Sequence, residues 1–167
     1  MQRLILMRHA EAERSAASGR DRDRALSAGG RADALAMGQA LATRGLSPDL
    51  ALVSNAVRTH QTWDLAHEAF GDVEVRESDN LYNADADVLR RAIEAVEDEA
   101  GCLLVMAHNP GVHVLAVEYL TESAASPFVI ERMSGGFPTG AAAIFSVDVA
   151  GRPTLDGFLQ PRDLGPQ

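Results

Sequence analysis

The sequence predicts an α/β fold: a three-layer α/β/α sandwich around a mostly parallel sheet with an antiparallel C-terminal edge. Short apolar strand patterns alternate with helical patterns along most of the chain, which is typical of a parallel sheet built from βαβ units. Two strand patterns then follow each other directly, over 142–149 and 154–159, and predict an antiparallel hairpin. Because the chain has 167 residues, we expect a single domain over 1–160 and a short C-terminal tail over 161–167.

The elements predicted before this hairpin alternate in type. In chain order they are a strand over 2–7, a helix over 27–44, a strand over 50–53, a helix over 56–70, a strand over 73–75, a helix over 84–99, a strand over 102–107 and a helix over 110–120. Two polar segments between them are expected to lack regular structure. They are the charged loop over 11–26 and the Ser-, Gly- and Pro-rich stretch over 121–140.

Local signals justify the predicted helices. Ser27 is a candidate cap for the first helix, and Gly45 is its stop. Trp63 lies at helical spacing with other apolar residues of the second helix, which places it in the core rather than in a cofactor site. The third helix has an amphipathic pattern with Leu89 and Ile93 among its inward-facing residues, and Pro110 suits the first turn of the fourth helix.

Composition excludes several classes of protein. The net charge is −9, from 24 acidic and 15 basic residues, and this argues against nucleic acid or an anionic membrane as the main partner. The apolar runs are too short for a membrane-spanning helix or a signal peptide, so a cytoplasmic location is expected. The single cysteine, Cys102, excludes an intrachain disulfide and lies in an apolar run, where a buried structural thiol is expected.

Candidate functional side chains follow three predicted strands. Arg8 and His9 follow the first strand, His108 follows the strand over 102–107, and Ser54 and Arg58 follow the strand over 50–53. Ligand sites of open parallel sheets form beyond the carboxyl ends of the strands, so we expect the two histidines to face one pocket. The remaining histidines are expected to be surface or structural residues: His60, His67 and His113.

Three motifs occur in order along the chain. They are Arg8-His9-Ala10 after the first strand, Ser54 with Arg58, Gln61 and Thr62 around the second helix, and His108 in the string Ala107-His108-Asn109-Pro110-Gly111. In this ordered set the chain resembles the histidine phosphatase superfamily, which includes the phosphoglycerate mutases. The short length and the string Leu81-Tyr82-Asn83-Ala84 are similar to the SixA-type phosphohistidine phosphatase branch. The resemblance implies a phosphoglycerate mutase-like fold.

The resemblance also implies a metal-independent phosphatase, without a cofactor, that works through a phosphohistidine intermediate on His9. Arg8 and Arg58 would hold the phosphoryl oxygens through charge-assisted hydrogen bonds. Protonated His108 would help to neutralise the charge of the transition state. The predicted substrate-binding residues are Ser54 and Asn109.

The sequence departs from the family pattern at two places. Alanine stands at Ala10 where the family signature has glycine, and a positive φ there would be strained. Larger members also carry a glutamate general acid, and no glutamate stands clearly at its place, although Glu77 and Asp79 are nearby. Phosphohistidine needs such an acid less than an alkyl phosphate does, because a protonated imidazole leaves easily.

The resemblance to the SixA-type branch implies a phosphohistidine-bearing partner protein as the substrate. The short chain leaves few residues to roof the pocket, and an open site suits a phosphoryl group presented on a protein surface. A small phosphomonoester is the alternative substrate, and a non-catalytic phosphate-binding module is an alternative function. A third hypothesis, a metal hydrolase, would use His9, Glu11 and His108 as ligands.

Overall fold

Strands and helices alternate along the chain in the computed structural model, which describes residues 1–165. In chain order the elements are β1 (Arg3–Arg8), α1 (Ala28–Thr43), β2 (Leu50–Ser54), α2 (Val57–His67), β3 (Glu74–Ser78), α3 (Ala86–Glu94), β4 (Cys102–Ala107), α4 (Gly111–Glu122), α5 (Pro127–Ser134), β5 (Ala142–Val147) and β6 (Pro153–Leu159).

The strands form one sheet in the order β3-β2-β4-β1-β5-β6. The β3-β2, β2-β4 and β4-β1 pairs are parallel, whereas β1-β5 and β5-β6 are antiparallel. The predicted mostly parallel sheet with an antiparallel C-terminal edge is therefore confirmed.

Apolar side chains of the central strands point alternately to the two sides of the sheet, as strand geometry requires. Leu4 and Leu6 of β1 belong to one hydrophobic core, which is completed by α3, α4 and α5. Ile5 and Met7 belong to a second core on the opposite face, which α1 and α2 complete with Met37, Leu41 and Trp63. These two cores produce the three predicted layers.

The prediction of an irregular stretch over 121–140 is wrong, because α5 lies within it. The Ser126 hydroxyl accepts a hydrogen bond from the Val129 N–H, and Pro127 occupies the first turn, so this helix begins with two standard start signals. Met133 is its buried contact with the core.

Other boundaries also differ from the sequence prediction, among them the end of α2, which lies at His67 instead of residue 70. Helix α3 ends at Glu94 and is followed by turns, although the amphipathic pattern runs on to residue 99. Strand β3 begins at Glu74 and runs to Ser78, later than the predicted 73–75, because it pairs along the whole of β2.

The charged loop over 11–26 is more ordered than expected. It contains a 3₁₀ turn over Asp21–Asp23 and an isolated bridge between Ala12 and Leu26. The Leu26 N–H also donates to the Gln61 side-chain oxygen at 2.8 Å, which ties the loop to α2.

The C-terminal segment of the described chain packs against the second core. Pro161–Asp163 form a 3₁₀ turn and Leu164 packs against the second core, while residues 166–167 of the predicted tail lie outside the described part.

Burial raises the pKa of the half-buried Cys102 thiol to about 11, so it stays protonated at neutral pH. Within residues 1–165, no helix combines the length and apolarity needed to span a bilayer.

Candidate active site

Strand register brings the predicted site residues to one edge of the sheet. In the parallel β1-β4 pair, Arg8 lies opposite Ala107, so His9 and His108 leave the sheet side by side. Their ring centroids are 5.3 Å apart, and each residue is only 7% exposed. Strand β2 borders β4 on the other side and delivers Ser54 to the same edge.

Two hydrogen bonds fix the tautomer of His9. Its Nδ1 lies 2.7 Å from the Ala10 carbonyl oxygen, which only accepts, so Nδ1 carries the proton. Its Nε2 lies 3.3 Å from Nε of Arg58, which only donates. The lone pair of His9 is therefore on Nε2 and points toward the arginine that would hold a phosphoryl group.

Burial keeps this imidazole neutral. Removal from water lowers the pKa of His9 to about 4, against a weaker opposing effect of the Ala10 carbonyl, and the positive charges of Arg58 and Arg8 lower it further. At neutral pH His9 consequently has the unprotonated nitrogen that a nucleophile requires.

His108 is held through Nε2, whereas His9 is held through Nδ1. Its Nε2 lies 2.7 Å from the Ser54 hydroxyl, and Ser54 is fully buried. Burial first, and then the positive charges of Arg58 and of His9 when that ring is protonated, lower the pKa of His108 to about 3. The protonated His108 predicted from the sequence therefore requires a bound anion, because the imidazole is neutral without one.

Arg58 lies in the first turn of α2, as predicted, and is 6% exposed. Its Nη1 donates to the Asp21 carbonyl oxygen at 3.0 Å, and its Nη2 lies 3.1 Å from the Asp21 carboxylate. Thr62, one turn later, donates its hydroxyl to the Arg58 carbonyl and accepts the Ala10 N–H at 3.0 Å. The second helix is thereby attached to the loop that carries His9.

Arg8 is fixed from the opposite side of the site. Its Nη1 donates to the Phe137 carbonyl oxygen at 3.0 Å, and the same oxygen accepts from Nδ2 of Asn109 at 2.9 Å. Burial first, and then the charge of Arg58, lower the pKa of the Arg8 guanidinium. Two guanidinium groups that lie close enough for the charge of Arg58 to lower the pKa of Arg8 favour an anion between them.

Buried polar atoms point to the same conclusion. Within residues 1–165, Arg8 Nε, His108 Nδ1 and Asn109 Oδ1 are the buried side-chain nitrogen and oxygen atoms without a hydrogen-bond partner. Since unpaired buried polar groups are costly, a cluster of them is expected where a ligand supplies the missing bonds.

The predicted substrate-binding residues, Ser54 and Asn109, are each hydrogen-bonded within the site. Ser54 binds the imidazole of His108, and Asn109 shares the Phe137 carbonyl with Arg8. Both arrangements orient a neighbouring functional side chain.

Alanine in place of the family glycine is not strained. Within the described chain, Ala124 is the only residue other than glycine with a positive φ, so Ala10 has an ordinary backbone conformation. Ala10 is fully buried, and its N–H is satisfied by Thr62.

Neither candidate acid from the sequence is directed at the histidine pair. Glu77 lies 3.1 Å from Nδ1 of His60, and Asp79 accepts from Asn55 and pairs with Arg22, both at 3.0 Å.

Over the described residues, no group of three or more His, Cys, Asp or Glu side chains is placed to bind a metal ion. The ligand set of the metal-hydrolase hypothesis, His9, Glu11 and His108, is therefore wrong. The Glu11 carboxylate instead accepts a hydrogen bond from the Ser27 hydroxyl.

Sequence reasoning missed two residues at the site, Asp21 and Tyr82. The Asp21 carboxylate binds Arg58 and accepts the Tyr82 hydroxyl, and the Tyr82 ring stands edge-on to His108 with centroids 5.6 Å apart. Tyr82 lies in the string over 81–84 that the sequence singled out, but Asp21 lies in a charge run that gives no such signal.

A neutral imidazole beside two guanidinium groups, at the carboxyl edge of an α/β sheet, is the arrangement expected of a phosphoryl-transfer site. The sequence profile of the histidine phosphatase superfamily (branch 1) matches residues 4–100. The chain belongs to this superfamily, and its structure is of the SixA type.

The chain is also similar to individual proteins and solved structures. An uncharacterized protein of Mycobacterium tuberculosis (strain CDC 1551 / Oshkosh) is 34% identical over 148 residues, which cover 85% of this chain and 92% of that protein. A crystal structure from Agrobacterium tumefaciens, provisionally named as the phosphohistidine phosphatase SixA, is 31% identical, with a TM-score of 0.85 over 96% of this chain and 98% of the other.

A phosphoglycerate mutase of Plasmodium falciparum shares the fold at 19% identity, with a TM-score of 0.65 over 93% of this chain and 89% of the other. The phosphoglycerate mutase-like fold predicted from the sequence is confirmed. Membership of the superfamily and the SixA-type neighbour support a phosphatase.

Proposed function

We propose that the protein is a metal-independent phosphatase that transfers the phosphoryl group of a phosphohistidine-bearing partner protein to Nε2 of His9 and then to water. The observation that carries this proposal is the fixed tautomer of His9: Nδ1–H is bound to the Ala10 carbonyl, and the lone pair on Nε2 faces Arg58. A buried neutral imidazole of this kind has no function in packing that an apolar side chain would not serve better.

The first half-reaction forms a bond from His9 Nε2 to phosphorus while the bond from phosphorus to the substrate imidazole breaks. The positive charge that develops on His9 is stabilised by the Ala10 carbonyl, which accepts its Nδ1–H. Arg8 and Arg58 bind the equatorial phosphoryl oxygens, whose charge would otherwise repel the nucleophile.

In the second half-reaction, water attacks phosphorus and the His9–phosphorus bond breaks. One dihydrogen phosphate ion leaves, and His9 returns to its neutral tautomer with the electron pair on Nε2. His108 lies against Ser54 with Nδ1 unpaired, so a bound phosphoryl dianion gives it a partner and raises its proton affinity.

The position of the carboxylates favours a phosphorus–nitrogen substrate. Glu77 and Asp79 are held by other side chains, and the hydrogen bond from Tyr82, with the charge of Arg58, lowers the pKa of Asp21 to about 2. A carboxylate that stays ionised cannot protonate an alkoxide leaving group, whereas an imidazole can carry its own proton.

Trapping the intermediate tests the mechanism. The enzyme is mixed with radiolabelled phosphohistidine protein in excess chelator and quenched, and we expect an acid-labile, base-stable phosphoenzyme. His9→Ala should lower turnover by about a thousandfold or more and abolish the labelled species. His67→Ala is the matched control, because the His67 ring stacks on Trp63 within α2.

Substrate comparison tests the remainder of the proposal. Rates are measured for a phosphohistidine protein, a sugar phosphate and an activated aryl phosphate, and the phosphohistidine protein is expected to be the best substrate. Faster hydrolysis of the sugar phosphate would assign a small-molecule phosphomonoesterase instead. Saturable binding of the phosphoprotein without release of phosphate would assign a non-catalytic binding module.

A further inference from the structure

Asp21 presents a carboxylate that is fixed beside the anion site. Its Oδ2 accepts from Nη2 of Arg58 at 3.1 Å and from the Tyr82 hydroxyl, while its Oδ1 accepts from Nε of Arg24 at 2.9 Å. The side chain remains 53% exposed despite these three partners. A carboxylate oxygen can accept more than one hydrogen bond, so Oδ1 can accept a donor from a bound molecule.

One guanidinium group separates this carboxylate from the nucleophile. Arg58 binds His9 Nε2 through its own Nε and Asp21 through both terminal nitrogens. Tyr82, whose hydroxyl is bound to Asp21, stands edge-on to His108. The Asp21 carboxylate is therefore separated from each of the two imidazoles by a single side chain.

The negative charge of Asp21 has an apparent cost for the proposed reaction. The Tyr82 hydrogen bond and the Arg58 charge lower the pKa of this carboxyl to about 2, so it is ionised at neutral pH. An ionised carboxylate repels a phosphoryl dianion bound at the neighbouring arginine. A phosphomonoester gains nothing in return, because its leaving group also becomes negative.

Phosphohistidine differs because its leaving group is cationic. With phosphorus on one ring nitrogen and a proton on the other, the imidazolium ring carries a positive charge and an N–H donor pointing away from phosphorus. Fixed cations at one end of the site and a fixed anion at the other match this dipolar group.

We propose, on the basis of the proposed function, that Asp21 is a specificity-determining residue that binds the protonated ring nitrogen of the substrate's phosphohistidine. As His9 Nε2 bonds to phosphorus, the phosphorus–nitrogen bond of the substrate breaks and its electron pair returns to the departing ring. That ring leaves as neutral imidazole and keeps its N–H on the Asp21 carboxylate. The step needs no other proton donor.

The competing explanation is that Asp21 only orients Arg58. In that case removal of its charge would change the hydrolysis of every substrate by the same factor, since Arg58 holds the phosphoryl group common to all of them. The ratio of kcat/KM for a phosphohistidine protein to kcat/KM for an activated aryl phosphate separates the two explanations.

The test measures this ratio in the wild type and in D21N, D21A and D23N. Asp23 is the matched control, because it lies in the same 3₁₀ turn and pairs with Ser18 and Arg20 on the surface. We expect the ratio to fall by about tenfold or more in D21N and D21A and to stay within about twofold in D23N. Thermal unfolding shows whether each variant is folded. One folded Asp21 variant is enough to decide the test.

Two outcomes would overturn the inference, and they are distinguishable. If the Asp21 variants slow both substrates equally, the specificity role is wrong while the proposed function stands. If the wild-type protein shows no preference for phosphohistidine, the proposed function itself fails and the inference falls with it.

Discussion

At the scale of single residues, His9 and His108 are neighbours that are held by opposite nitrogens. His9 donates from Nδ1 to a backbone carbonyl and presents Nε2, whereas His108 is bound through Nε2 to Ser54 and has Nδ1 unpaired. Both rings are buried beside two arginines, so both are neutral in the unliganded protein. The cost of keeping them neutral should appear in the pH dependence of stability.

We predict that the free energy of unfolding decreases as the pH falls from about 6.5 toward 4. The folded-state pKa is about 4 for His9 and about 3 for His108, compared with 6.5 for an exposed histidine, so the unfolded chain binds more protons in this range. The contribution of these residues is fully present above pH 6.5. It is lost progressively as the pH falls from about 6.5 and the loss is complete below the folded-state values, with His9 alone accounting for about 3 kcal/mol.

Chemical denaturation at pH 7, 6, 5 and 4, at constant ionic strength, measures this loss. His108→Asn removes one of the two titrating groups, so its stability should decline less steeply than that of the wild type. Parallel curves for the two proteins would show that His108 is not held neutral by the fold.

Single residues also show how far the sequence could predict the site. His9, Arg8, Arg58 and His108 follow strand ends, and the order of parallel strands brings strand ends together, so their meeting could be predicted. The contact between Asp21 and Arg58 joins residues 37 apart through a loop conformation, which no periodic pattern encodes.

At the scale of elements, the position of Arg58 depends on how closely α1 packs against α2. Gly38 of α1 lies directly on the backbone of Ala66 in α2, and a Cβ atom added there would be 2.3 Å from the Ala66 carbonyl oxygen. At Gly29, in the first turn of the same helix, the nearest atom to an added Cβ would be 3.9 Å away. Gly38 and Gly29 are therefore matched positions for alanine substitution in one helix, the first in close contact and the second with free space.

We predict that Gly38→Ala destabilises the protein by about 2 kcal/mol, because the two helices must separate to admit the methyl group. Gly29→Ala should be neutral or stabilising by up to about 1 kcal/mol, since alanine is the better helix former. Because α2 carries Arg58, Gly38→Ala should also raise KM. Urea unfolding and steady-state kinetics measure both effects, and equal stability of the two variants would contradict close packing at Gly38.

Element prediction succeeded where hydrophobic patterns are strong and failed where they are weak. Strand 102–107 is a continuous apolar run, and its observed bounds coincide with the predicted ones. Helix α5 buries Met133 but leaves Phe128 73% exposed, so its apolar pattern does not distinguish it from a loop. Its start signals at Ser126 and Pro127 also occur in turns.

At the scale of the whole molecule, the sheet separates two hydrophobic cores that share only its strands. Trp63 lies in the core formed with α1 and α2, and Tyr119 lies in the core formed with α3, α4 and α5. Alternate residues of β1 and β4 contribute to both cores, so neither core persists when the sheet is disrupted. We therefore propose that residues 1–160 are a single cooperative domain.

Fluorescence from each side of the sheet tests this proposal. Trp63 is the single tryptophan and is 4% exposed, so its emission reports unfolding of the α1–α2 side. In the double variant Trp63→Phe, Tyr119→Trp the reporter moves to the other side, where Tyr119 is 6% exposed. If the chain is one domain, each protein's fluorescence midpoint in urea should coincide with its own far-UV circular dichroism midpoint. A fluorescence transition that precedes the loss of helix on either side would divide the chain into two folding units, and the active site would then lie at their common edge.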